Sequence, residues 1–187
     1  MPQEIWLIRH AETEWSKAGR HTGRTDIPLT DEGRAHAATL PGRLGDQTFA
    51  RVFVSPLGRA RETAQLAGLG DQAEVRDDLA EYDYGAYEGI TTDEIRVDRP
   101  GWYLWRDGVP DGEQPDDVGA RVDRVIEEAA AVDGDVALVA HGHVLRVLAA
   151  RWVGEPASFA GRLALSTGAL CRLGTERDVR VLRAWNF

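Results

Sequence analysis

The sequence predicts an α/β protein, a three-layer α/β/α sandwich around a mostly parallel central sheet. Two observations predict it. Short β-branched apolar runs alternate with stretches of helical period along the 187 residues, the pattern of repeated strand–helix–strand units. Three of those runs also stop directly at groups capable of chemistry: Arg9-His10, Ser55-Pro56-Leu57-Gly58-Arg59 and His141-Gly142-His143. Ligands of open α/β sheets bind beyond the carboxyl ends of the strands, so this placement fits the same fold.

The elements follow in order. Residues 5–9 (IWLIR) form a buried strand that ends at polar residues. Thr30-Asp31-Glu32-Gly33 opens a helical stretch over 34–44, interrupted by Pro41. A second strand covers 51–55, and Pro56 then stands where a helix over 57–69 begins. Residues 73–76 give a short third strand. Residues 116–132 form an amphipathic helix with Val118, Val122, Val125, Ile126 and Ala129 on one face. The clearest strand is 135–140 (DVALVA), followed by a helix over 144–153 and two late strands at 168–173 and 179–184. The stretch 90–115 is weakly periodic and holds Trp102, Tyr103, Trp105, Gly108 and Gly112; it reads as a covering loop or lid. The length fits one domain over 1–187.

Composition narrows the function. At 43% hydrophobic and 28% charged residues the chain can bury an ordinary core. No apolar run is long enough to cross a bilayer, and the first residues lack the pattern of a signal peptide. The expectation is a cytoplasmic protein without membrane partners. The net charge of −9 argues against a nucleic-acid partner, which needs a basic face. Cys171 is the single cysteine, which excludes an internal disulfide and a cysteine metal cage; it reads as a small buried hydrophobe. Lys17 is the single lysine, so an anion site would be built from arginines, whose planar fork grips phosphate oxygens.

Those groups suit phosphoryl transfer. A neutral imidazole can attack phosphorus and carry the phosphoryl group covalently, dividing one hard step into two. Positive charge from Arg9 and Arg59 would favour the neutral ring and would balance charge on the phosphoryl oxygens. A carboxyl group is then needed to protonate the leaving oxygen, and Glu81 is the candidate. Arg59 falls in the first turn of its helix, so backbone N–H groups there are expected to add to a phosphate cradle. Singly, each element has an ordinary reading: a strand-end pair, a helix start, one acid among 31, a turn. Their shared position at strand ends is what favours a site.

At this point the residues resemble a known family. The run Leu7-Ile8-Arg9-His10-Ala11-Glu12-Thr13 is similar to the signature of the histidine phosphatase superfamily, also called phosphoglycerate mutase-like. Thr22-Gly23, Pro28-Leu29-Thr30-Asp31-Glu32-Gly33, Ser55-Pro56-Leu57, Arg59-Ala60, Thr63-Ala64, Glu81 with Gly85, Glu88-Gly89, Gly112-Glu113 and His141-Gly142 match in the same order. The resemblance implies a phosphoglycerate mutase-like sandwich and a phosphohistidine on His10. It implies that Arg9, Arg59 and His141 bind the phosphoryl group and that Glu81 is the proton donor. Ser16, Thr22, Gly23, Tyr84, Gly142 and His143 match positions that line the pocket in related enzymes. It implies no cofactor and no metal. A metal on His10, His141 and His143 is disfavoured by the adjacent arginines.

The sequence departs from the common pattern in places. Ala11 stands where glycine is usual, and Ser16 where the mutases usually have asparagine. Between Glu81 and His141 there is no longer insertion with paired arginines for a second phosphate; Arg96, Arg99 and Arg106 are scattered. The expected function is therefore hydrolysis of small phosphomonoesters such as sugar phosphates, with a phosphoglycerate mutase using the same His10 as the alternative. A non-catalytic phosphate-binding module is the third reading, opposed by the presence of every catalytic group. The stretches 14–23 and 102–108 resemble sedoheptulose-bisphosphatase-like and broad acid phosphatases. In that reading Arg20, His21 and Arg106 touch a second anionic group. No motif speaks to oligomeric state.

Overall fold

The computed structural model describes residues 3–187. Strands β1 (Ile5–Arg9), β2 (Arg51–Val54), β3 (Ala73–Val75), β4 (Val136–Ala140), β5 (Leu170–Glu176) and β6 (Val179–Ala184) form one sheet in the order β3-β2-β4-β1-β5-β6. The first four are mutually parallel, and β5 and β6 add an antiparallel edge. The predicted α/β sandwich is the observed one.

Period-two patterning explains the layers. In β1, Ile5 and Leu7 enter one apolar core while Trp6 and Ile8 enter a second on the other face of the sheet. Strand β4 divides the same way, with Val136, Leu138 and Ala140 against Ala137 and Val139. A strand buried on both faces must be apolar throughout. Helices α2 (Asp31–Ala37), α3 (Leu40–Leu44) and α4 (Gly58–Leu66), which follow the short α1 (Glu14–Lys17), cover the second core through Ala37, Leu40, Leu44, Ala60 and Ala64. The first core lies under α7 (Pro115–Ala130) and α8 (Gly142–Trp152), with α5 (Thr92–Asp98) and α6 (Leu104–Asp107) before them.

The differences from the sequence reading have local causes. The helix expected over 34–44 begins at Asp31, because Thr30 Oγ1 accepts from the Gly33 N–H at 2.9 Å and caps it there. It ends at Ala37, and Pro41 sits in the first turn of a separate helix, where its missing N–H costs nothing. The stretch 90–115, read as a covering loop or lid, carries two short helices, α5 and α6. Thr91 and Glu94 form a reciprocal cap, and Trp102 and Trp105 are buried in the first core. The Trp102 indole N–H donates to the Gly108 carbonyl at 2.9 Å. Cys171 is buried in β5, and burial pushes its thiol up to about 11. Among the described residues no helix is long and apolar enough to cross a membrane.

The sheet order brings three strand ends together. Strand β4 lies between β1 and β2, so three adjacent strands end side by side at Arg9, Val54 and Ala140. The next residues, His10, Ser55 and His141, are thereby delivered to one place.

Candidate active site

A cavity of about 220 Å³ opens beyond those strand ends, lined in part by Arg9, His10, Glu81, Tyr84, Gly142 and His143. The rings of His10 and His141 lie 5.1 Å apart, centroid to centroid. His10 is fixed by its neighbour: its Nδ1 lies 2.7 Å from the Ala11 carbonyl oxygen. A carbonyl only accepts, so Nδ1 carries the hydrogen. Burial, then the Arg9 and Arg59 charges, hold the His10 ring well below its usual titration range. The neutral ring therefore keeps a free lone pair on Nε2, the state a nucleophile requires. The Ala11 methyl fits because it is buried in the second core, while its N–H donates to Thr63 Oγ1 at 3.1 Å.

Arg9 is held against Gly142, where an added Cβ would come 3.1 Å from the Arg9 guanidinium carbon. One Nη donates to the Leu165 carbonyl. The buried Nε has no partner among the described residues. A buried unpaired donor costs about 1–3 kcal/mol, so this guanidinium retains capacity to bind an anion.

Arg59, 1% exposed, lies against His141, 0% exposed; neither side chain is among those that line the cavity. Its Nε donates to His141 Nδ1 at 3.2 Å, and its Nη groups donate to the carbonyls of Thr22, Gly23 and Thr25 at 2.9–3.0 Å. Asp26 lies 3.7 Å away. The guanidinium is thus a strut that ties the loop 22–25 to His141 and adds a nearby positive charge to His10. The expected cradle at the start of α4 is also absent. The Gly58 and Arg59 N–H groups both donate to the Asp26 carboxylate, at 2.7 and 3.4 Å, which fills the position an anion would take.

His141 accepts from Arg59 through Nδ1, so the hydrogen of its neutral ring is on Nε2, which faces Ser55 Oγ at 2.6 Å. Burial and the Arg59 charge lower its basicity far below that of a free histidine. At the first turn of α8 a carboxylate likewise takes the backbone N–H groups. Glu81 Oε1 accepts from the Tyr82 and Val144 N–H groups at 2.8 and 2.9 Å, and Oε2 accepts from His143 N–H at 3.0 Å. Oε1 is saturated by two donors, so Oε2 is the oxygen with capacity left to carry a proton. Gly142, the first residue of that turn, lines the cavity.

The remaining sequence-derived residues divide. Ser16, Arg20, Thr22, Tyr84 and His143 line the cavity. The Ser16 hydroxyl is already committed: it donates to the Thr13 carbonyl and accepts from the Thr13 N–H, capping α1. Gly23 does not reach the cavity. Its N–H donates to the Glu88 carboxylate, and a Cβ there would come 2.6 Å from the Tyr82 carbonyl oxygen, so glycine is required for packing. Arg106 is exposed and held by Asp107 and the Gly101 carbonyl, away from the cavity. It does not serve a second anionic group there; Arg20 and His21 remain on the wall. Arg146 and Thr92 line the cavity as well, and the sequence reading missed both. Arg146 was findable. It follows Gly142 by four residues, one helical turn, and is the one charged residue in the run Val144-Leu145-Arg146-Val147-Leu148. Its Nε donates to the Ala160 carbonyl and its guanidinium lies over Trp105 at 5.0 Å. Among the described residues no cluster of three or more His, Cys, Asp or Glu is arranged to hold a metal.

Comparison with known proteins gives the following. The family model of the histidine phosphatase superfamily (branch 1) matches residues 5–187. An acid phosphatase of Mycobacterium tuberculosis is 42% identical, over 95% of this chain and 89% of that protein. A sedoheptulose 1,7-bisphosphatase of Saccharomyces cerevisiae is 36% identical, over 79% of this chain and 66% of that protein. A solved open-reading-frame product of Mycobacterium tuberculosis superposes with a TM-score of 0.94 at 40% identity, covering 99% of this chain and 97% of that one.

Proposed function

This chain belongs to the histidine phosphatase superfamily, branch 1, and from that premise we propose how its residues perform the reaction. The protein is a phosphatase, a phosphoric monoester hydrolase. The observation that carries the mechanism is the His10 Nδ1 contact to the Ala11 carbonyl, which leaves Nε2 as an unprotonated lone pair at the cavity.

A phosphomonoester enters with its phosphoryl oxygens toward Arg9 and Gly142. His10 Nε2 attacks phosphorus, forming the P–N bond as the P–O bond to the leaving group breaks. The leaving oxygen takes a proton from Glu81 Oε2 and departs as the alcohol. Water then attacks phosphorus while the Glu81 carboxylate takes its proton; the P–N bond breaks and the electron pair returns to His10 Nε2. Inorganic phosphate leaves, and Glu81 is again protonated. Arg9 and, through space, Arg59 balance charge on the equatorial oxygens, the task a metal ion performs in other phosphoryl-transfer sites.

Hydrolysis is favoured over isomerisation by the relatives named as phosphatases and by the lack of an arginine-bearing insertion between Glu81 and His141. A mutase must hold a second phosphorylated group beside the phosphohistidine. Arg96, Arg99 and Arg106 are outside the cavity, bound to the Trp102 carbonyl, the Tyr87 hydroxyl and Asp107 respectively. The substrate class we propose is small sugar phosphates and similar esters, as the name of the yeast relative suggests, with all of residues 1–187 serving as one domain in the cytoplasm. The experiment is phosphate release from sugar phosphates, phosphoglycerates and nucleotides with EDTA present, comparing wild type with His10→Ala. Release that survives EDTA and disappears in the variant is the expected result. Full activity in His10→Ala, with circular dichroism unchanged, would refute the mechanism.

A further inference from the structure

The cavity wall carries two histidines that the reaction does not use, His21 and His143. Their ring centroids are 6.4 Å apart. Each ring is tied to the protein through Nδ1, and the two ties are of opposite kind. His21 Nδ1 meets the Ile90 carbonyl oxygen at 2.7 Å. The carbonyl accepts, so Nδ1 carries the hydrogen and Nε2 of the neutral ring is a bare lone pair. His143 Nδ1 meets the Tyr84 hydroxyl at 2.5 Å. Tyr84 is buried and its hydroxyl has no other acceptor among the described residues, which favours donation of its proton to His143 Nδ1. The hydrogen of the neutral His143 ring then sits on Nε2. Aromatic neighbours fix both planes: Trp102 stands edge-on to His21 at 5.6 Å, Trp105 edge-on to His143 at 5.0 Å, and Tyr84 touches both rings.

We propose that the Nε2 edges of His21 and His143 form a hydroxyl-reading pair that selects phosphomonoesters of vicinal diols: one hydroxyl donates to His21, and its neighbour accepts from His143. The inference rests on the phosphatase reading and adds the substrate feature this wall would recognise. A hydroxyl both donates and accepts, so two adjacent hydroxyls match one acceptor and one donor. A chain without them leaves both ring edges on the cavity wall without their hydroxyl partners, an arrangement that discriminates against a missing hydroxyl.

The test compares sn-glycerol 3-phosphate with n-propyl phosphate, which share a carbon skeleton and differ in the diol. With each hydrogen bond contributing about tenfold, kcat/KM should favour the diol by roughly 10². Asparagine reproduces the Nδ1 tie but presents no Nε2 edge. His21→Asn and His143→Asn should therefore each lower that ratio about tenfold. Nitrogen-15 chemical shifts of the imidazoles give a readout independent of turnover: protonated Nδ1 in His21 and protonated Nε2 in His143. A wild-type ratio near one, a ratio unchanged in both variants, or the opposite tautomer at either ring overturns the pair while the phosphatase reading stands. Absence of turnover on every ester, p-nitrophenyl phosphate included, overturns both.

Discussion

Arg59 offers the sharpest test of the site, because its placement separates two roles that activity alone would confuse. If it were a phosphate ligand held in reserve, replacing it would lower activity and leave stability nearly unchanged. The structure instead has it serving three buried acceptors, His141 Nδ1 and the Thr22 and Gly23 carbonyls, in addition to the partly buried Thr25 carbonyl. Arg59→Met removes every donor and leaves those acceptors buried. At about 1–3 kcal/mol for each unsatisfied group, less what is recovered by no longer burying a cation, the loss should be about 4 kcal/mol. With a urea slope near 2 kcal/mol/M, the denaturation midpoint should fall by about 2 M. Arg59→Lys should recover part of this, since an ammonium has three donors but lacks the planar fork. Activity should fall in parallel, as the loop 22–25 and His141 lose their common anchor. A midpoint within 0.5 M of wild type, together with a large loss of kcat/KM, would refute the strut and return Arg59 to the role of direct phosphate ligand.

Three other outcomes are expected. Glu81→Gln should slow alkyl phosphates by about 10²–10⁴ but p-nitrophenyl phosphate by less than about tenfold, because that leaving group needs little protonation; equal slowing measured on both would remove Glu81 as the acid. Stability should fall with acid: His10, His21, His141 and His143 all resist protonation in the fold because they are buried, whereas in the unfolded chain they take up protons near pH ~6.5. The unfolded state then binds more protons, so stability present above that pH is lost as pH drops below it, by about 1.4 kcal/mol per pH unit for each ring that stays neutral. Urea midpoints at pH 7.5, 6.5 and 5.5 that fail to decline would contradict this. Gly23→Ala should cost about 2 kcal/mol by denaturant titration, because the new methyl meets the Tyr82 backbone oxygen at 2.6 Å and backbone cannot yield cheaply.

The sequence disclosed those parts of the molecule that depend on local pattern. Strands β1 and β4 are apolar on both faces and end at chemistry, so both the strands and the residues after them were readable. What it did not disclose depends on partners distant in sequence. Arg59 was read as facing phosphate because it follows a strand and opens a helix. That it turns instead toward loop 22–25 depends on carbonyls more than thirty residues away. Asp26 filling the start of α4 is of the same kind. Trp102 and Trp105 looked like parts of a covering loop because their segment lacks a long period. Two helices of one to two turns are too short to show one, and the tryptophans supply the burial that orders them. Arg146 was overlooked, although a lone charge in so apolar a helix is a signal legible in the sequence.

The place of β4 between β1 and β2 also governs how the molecule comes into being. The two neighbours of β1 are β4 and β5, and the first of these lies more than 125 residues further along the chain. On a ribosome, the segment bearing Arg9 and His10 therefore emerges long before any strand it can pair with. Contacts of such long separation are slow to form, and an apolar strand without neighbours invites association with other chains. A fragment ending before residue 136 would retain the nucleophile but have no sheet to hold it. The catalytic centre is thus among the last parts of this protein to exist, and a nascent chain cannot begin to turn over substrate until the centre of its sheet is complete.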